Sequence, residues 1–137
     1  RTEVRFGDVL RLRGYRLKTS EVAPGAETQL TVYWQALRTP QRIWAVFNHL
    51  RAPEGEVIWQ GDSWPQDGIY TTDRWRETEV VPETYTIEIP EDAAPGRYPL
   101  YTGVYDPLTG DRLPAFAPDG ERLPGDETVL LWLEVKP

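Results

Sequence analysis

His49, the only histidine in the chain, stands in the run Phe47-Asn48-His49-Leu50, and three of the six tryptophans follow it at Trp59, Trp64 and Trp75. Histidine suits metal ligation or general-base work, and amphipathic rings at a loop-rich rim suit the faces of sugars. The metal reading lacks partners: without cysteine or a second histidine, zinc would take almost all its ligands from carboxylates, unlike known zinc sites. The base reading lacks a nucleophile, since the only serines are Ser20 and Ser63 and neither sits in a glycine-flanked elbow. His49 is therefore expected to hydrogen-bond the long segment that follows it. Trp59, Trp64, Tyr70 and Trp75 are the candidate sugar platform. The competing reading has Trp34, Trp59, Trp75 and Trp132 filling the ends of a small core, with Gln60, Asp62, Thr71 and Arg74 bracing the loop.

Carboxylates are abundant, so Asp62, Asp67, Asp73 or Glu79 could furnish a glycosidase pair, but that mechanism needs one acid in an apolar pocket beside a cleft. Asp106, Asp111, Asp119, Asp126 and Glu127 are candidates for calcium, yet their spacing matches no EF-hand, and Asp-Pro and Thr-Gly-Asp are ordinary turn chemistry. Glycine-rich phosphate cradles are absent because no strand, loop and helix series exists to carry them. No catalytic residue, metal or cofactor is expected.

The elements that must position these side chains are strands. A period of two dominates, and apolar residues nowhere recur at helical spacing for three turns. Val9 to Leu17 reads as a strand with Leu10 and Leu12 inward, a bulge permitted at Gly14, and Tyr15 and Leu17 buried after the phase shift. After the turn at Ala23-Pro24-Gly25-Ala26, Leu30, Val32, Trp34 and Ala36 alternate with polar positions as a core strand. Ile43 to Leu50 is the third, with Phe47 and His49 on one face and Leu50 on the other, and Pro53-Glu54-Gly55-Glu56 turns the chain into Val57 to Gln60. Alternation then stops from Gly61 to Arg76, a loop long enough to be either functional or heavily braced. Glu79 to Val81 and Tyr85 to Ile89 form the next strand or strands, Arg97 to Asp106 another, Arg112 to Gly125 an irregular crossing, and Thr128 to Val135 the last. Seven to eight short strands fit an immunoglobulin-like or fibronectin-like sandwich of two antiparallel sheets.

At 137 residues the chain is one domain, 1–137, with a core large enough to need no covalent staples. The absence of an initiator methionine makes it read as a piece of something larger. No apolar run reaches the roughly 18 residues needed to cross a bilayer. The bias to arginine over lysine, the single asparagine and the 13 prolines suit a hot-adapted source. Net charge is −7, yet residues 1–51 hold nine of the 15 Lys and Arg and four of the 22 Asp and Glu. Cross-strand pairing within the domain is the expected use of that asymmetry, and the acidic balance argues against a nucleic-acid partner.

Several segments together resemble an extracytoplasmic β-sandwich found at the carboxyl end of large bacterial multispanning membrane proteins, many of them similar to glycosyltransferases of the mannosyltransferase type that use lipid-linked sugars. They are Phe6-Gly7-Asp8 with Leu12-Arg13-Gly14-Tyr15, Leu30-Thr31-Val32-Tyr33-Trp34-Gln35, Val46-Phe47-Asn48-His49-Leu50, Gln60-Gly61-Asp62 and Thr71-Thr72-Asp73-Arg74-Trp75. Tyr85-Thr86-Ile87-Glu88-Ile89-Pro90, Pro95-Gly96-Arg97-Tyr98, Gly103-Val104-Tyr105-Asp106 and Arg112-Leu113 continue the match over nearly the whole chain. The resemblance implies an accessory domain tethered outside the cytoplasm, whose partner is its host membrane protein or a cell-envelope component. Carbohydrate is the second candidate partner, and hydrolysis of glycosides a more remote third activity.

Overall fold

The computed structural model describes residues 3–62 and 70–137, and in them ten strands form two five-stranded sheets. The strands are β1 (Arg5–Phe6), β2 (Leu10–Leu17), β3 (Glu21–Val22), β4 (Glu27–Ala36), β5 (Ala45–Arg51), β6 (Val57–Gln60), β7 (Val80–Glu88), β8 (Gly96–Tyr105), β9 (Ala115–Phe116) and β10 (Thr128–Val135). One sheet runs β7-β4-β2-β1-β9, the other β3-β10-β8-β5-β6. The sandwich expected from the alternation is present, and its seven longer strands are those the periodicity marks. Val80 to Glu88 is a single strand paired with β4 along its length. All strand pairs are antiparallel except β3 with β10, which is parallel.

The core lies between the inner faces of the two sheets. In β4 the expected set Leu30, Val32, Trp34 and Ala36 is indeed the buried one, each fully covered, and Trp34 stands edge-on to Phe6 with centroids 5.5 Å apart.

 Ala36 closes that row against Leu10 across the ladder. The register slips between Leu12 and Gly14, where the sequence allows a bulge. Tyr15 is not buried after that shift as expected: it is 43% exposed, while Leu17, paired with Leu30, is half-buried against the core. In β10 a second slip, between Val129 and Leu131, lets Leu130 and Leu131 both face inward. Leu133 and Val135 then continue the buried row while Trp132 and Glu134 point outward.

The end of the long loop is bolted to the sandwich. Residues Thr72–Arg74 make a short 3-10 turn. The buried Thr72 hydroxyl donates to the Arg42 carbonyl at 2.9 Å and accepts the Trp44 backbone N–H at 2.8 Å. Trp75 is fully buried, with its indole N–H donating to the Tyr70 carbonyl at 3.0 Å. Thr72 is thus a principal brace where Thr71 was expected; the Thr71 hydroxyl bonds only locally, to Asp73.

Candidate functional site

The outer face of the β3-β10-β8-β5-β6 sheet brings together aromatic and charged groups from several strands. On β5 the period of two turns Phe47, His49 and Arg51 to one side. Register places His49 opposite Tyr101 of β8 and Gln60 of β6. From β10, Val129 is opposite Tyr101 and Trp132 opposite Pro99.

A chain of polar contacts crosses this face. His49 Nε2 lies 3.4 Å from an Asp62 oxygen, and its Nδ1 lies 3.5 Å from an Arg51 nitrogen. Arg51 donates from both terminal nitrogens to the two oxygens of Glu127, at 2.9 and 2.8 Å. Arg112 reaches the same carboxylate at 3.2 Å and donates to the Gly125 carbonyl at 2.9 Å. The bidentate pair is partly withdrawn from water, the geometry in which charge-assisted bonds are strongest. Its hydrogen bonds to Glu127 outweigh the cost of burial and hold the Arg51 guanidinium above its ordinary value.

Each arginine also lies over a ring. The Arg51 guanidinium carbon is 4.1 Å from the Tyr101 centroid, Arg112 is 4.2 Å from Phe47, and Arg97 is 5.0 Å from Trp132. Such stacking leaves the planar edge of the guanidinium available for hydrogen bonding. Phe47 is nearly sealed, with His49 beside it at 4.9 Å and the Gly103 backbone beneath its ring. Trp132 is 49% and Val129 36% exposed, so the β8–β10 half of the face presents open apolar surface. Burial, with the Asp62 carboxylate nearby, pushes the Tyr105 phenol up.

The residues singled out from sequence separate. His49, Gln60 and Asp62 come together on the outer face, with Gln60 exposed. Trp59 is half-buried at the open side of the sandwich, edge-on to Tyr85 with centroids 6.4 Å apart. Tyr70 and Trp75 pack together at 6.5 Å, and with Trp75 fully covered they offer no paired open rings. Trp64, Ser63 and Asp67 lie outside the described residues. Trp34 and Trp75 fill the core as expected, whereas Trp132, expected there too, stands outside because its register position faces water.

The carboxylates have local tasks. The Tyr70 hydroxyl is 2.8 Å from both oxygens of Glu79. The Arg76 backbone N–H and then this hydroxyl hold the Glu79 carboxyl below its ordinary range. Asp106 pairs with Arg42 and accepts the Leu108 N–H, Asp119 accepts the Glu121 N–H, and Asp126 binds Arg122 and the Ala115 N–H. The five acids considered for calcium are therefore spread over separate turns and ion pairs. Among the described residues no cluster of three or more His, Asp and Glu has the geometry to hold a metal ion.

Tyr101, Arg51, Arg112 and Trp132 were not read from sequence as a site. Alternation along β5, β8 and β10 is the signal that places Arg51, Tyr101 and Trp132 on one face; Arg112 reaches it from the segment after β8, and the contact of Arg51 with Glu127 spans 76 positions and has no local signature.

No family model matches the chain, and no curated protein does. Among solved structures, the C-terminal domain of Wzt superposes with a TM-score of 0.69 over 99% of this chain and 78% of that one, at 11% identity. At that identity the likeness establishes the fold, a β-sandwich.

Proposed function

We propose that this β-sandwich is a non-catalytic accessory module of a larger cell-envelope protein, and that it binds carbohydrate through the outer face of the β3-β10-β8-β5-β6 sheet. The observation that carries the reading is Trp132, 49% exposed on β10 opposite Pro99, on the sheet face that also carries Val129 and Tyr101. Burying a large apolar side chain is worth about 1.5–3 kcal/mol, so an open tryptophan in a row of arginines and carboxylates marks a surface kept for contact. Rings supply the apolar face a sugar needs, and Arg51, Glu127, His49 and Asp62 supply donors and acceptors for its hydroxyls. This platform differs from Trp59 on β6 and the loop rings Tyr70 and Trp75, of which Trp75 is fully buried and the other two half-buried.

Support for a non-catalytic role comes from the acids. Of the acids considered for a glycosidase pair, Glu79 is engaged by the Tyr70 hydroxyl and the Arg76 N–H, Asp73 by the Thr71 hydroxyl, and Asp62 lies 3.4 Å from His49, so each of these takes part in bracing. The accessory role draws support from the fold neighbour, itself described as the C-terminal domain of a protein. A multispanning membrane parent and an extracytoplasmic location are proposed on the sequence resemblance.

A glycan array probed with the purified chain, Trp132→Ala and Tyr101→Ala tests the reading. Retention on a subset of glycans, lost in both variants while circular dichroism is unchanged, is the expected result. Silence across the array, or retention that ignores both substitutions, rejects carbohydrate as the ligand of this face and leaves packing against the parent protein.

A further inference from the structure

A groove runs along the open side of the sandwich, where β6 ends one sheet and β7 ends the other. It consists of two clefts of about 600 and 440 Å³ that share Ile58 and Pro90. Val57, Ile58, Trp59 and Ile89 give it an apolar lining. Its rim carries Glu27, Glu54, Glu56, Glu88, Glu91 and Asp92, all exposed, and Arg97 is the one cation among the lining residues. None of these six acids forms an ion pair among the described residues.

The backbone alongside is also unmatched. β6 pairs with β5 along one edge and with no described strand along the other. An open edge of this kind is a template for a further extended chain, whose main-chain groups supply affinity while alternate side chains meet the groove. We propose that the groove docks an extended basic polypeptide segment as an added strand on β6, with apolar side chains on Val57 and Ile58 and alternating lysines or arginines facing the acidic rim. Charge complementarity selects the partner: six carboxylates against one arginine attract cations and repel acidic chains. Arg97 borders both this groove and Trp132, but the residues varied here differ from those varied on the glycan array, so the proposal stands or falls independently of carbohydrate binding.

The test titrates the chain into a fluorescein-labelled peptide alternating Lys and Val, read by polarisation, with amide chemical shifts mapping the site. Three comparison peptides are used: Lys alternating with Gly, Glu alternating with Val, and the Lys-Val peptide N-methylated on alternate backbone nitrogens. Saturable binding of the Lys-Val peptide alone is expected, with shifts centred on Val57–Gln60 and Pro90–Tyr98. The surface variant Glu88→Gln/Glu91→Gln/Asp92→Asn should weaken it about tenfold or more, and Val57→Ser should weaken it without moving the melting temperature. Equal binding of the Lys-Gly or N-methylated peptide overturns the proposal, as does affinity unmoved by the triple variant or shifts on another face. Self-association of the chain in sedimentation, abolished by the same variants, assigns the groove to a second copy and overturns it equally.

Discussion

Arg51 sits between Tyr101 and Glu127: its guanidinium carbon lies 4.1 Å from the tyrosine centroid while both terminal nitrogens bond the carboxylate. This contact ties the residue before β10 to the end of β5 across β8, within one sheet. Side-chain exposures of 20% and 14% keep water from replacing either partner freely. Glu127→Gln should cost about 1–3 kcal/mol, since it removes an ionic acceptor shared by two arginines. A double-mutant cycle with Arg51→Met in urea should return a coupling of about 1–3 kcal/mol.

His49 makes weaker contacts, at 3.4 Å to Asp62 and 3.5 Å to Arg51, but packs on Phe47. His49→Ala should lower stability by about 1–2 kcal/mol through loss of those bonds and that packing. Chemical denaturation checks the value, and an unchanged midpoint would remove His49 from the bracing of this face.

Strand alternation made β4, β10 and the shared face of Phe47 and His49 legible in the sequence, because each depends on nearest neighbours along one strand. The two-residue strands β1, β3 and β9 were not legible, since they exist only through partners distant in sequence. Trp132 shows the same limit from the other side. Its hydrophobicity suggested the core, and register against Pro99 placed it in water. Thr72 was hidden in an irregular loop, where no period tells which of two adjacent threonines turns inward.

Tryptophan substitutions should separate core from surface. Trp34→Ala empties a fully buried position and should cost about 3–5 kcal/mol. Trp132→Ala should fall within about 1 kcal/mol of the parent. Urea midpoints compared at constant slope decide the matter, and equal losses would contradict the outward placement of Trp132.

Gly103 supports the Phe47 ring so closely that a Cβ there would collide with it. Gly103→Ala should destabilise by about 1–3 kcal/mol. Pairing it with Phe47→Leu, which makes room, should recover part of the loss in the same denaturation assay.

The Tyr70–Glu79 pair sets a pH dependence. The folded chain holds the Glu79 carboxyl low, so its contribution is present above the ordinary carboxylate range and is lost as pH falls through the folded-state value. Melting temperature should drop more steeply for the parent than for Glu79→Gln between about pH 5 and about pH 2. The Tyr70 phenol, raised chiefly by its hydrogen bond to Glu79, works in the opposite sense. Its contribution is present below the ordinary phenol range and fades as pH rises through the folded-state value. Parallel acid profiles for the two proteins would deny the pair any role in stability.

The most direct measurement of the central claim is retention of the purified chain on a glycan array, compared with Trp132→Ala at equal foldedness. Binding to a defined set of glycans that disappears with Trp132 is the predicted result. An array with no retained glycan, or the same glycans retained by the variant, would contradict a carbohydrate-binding role for the outer face.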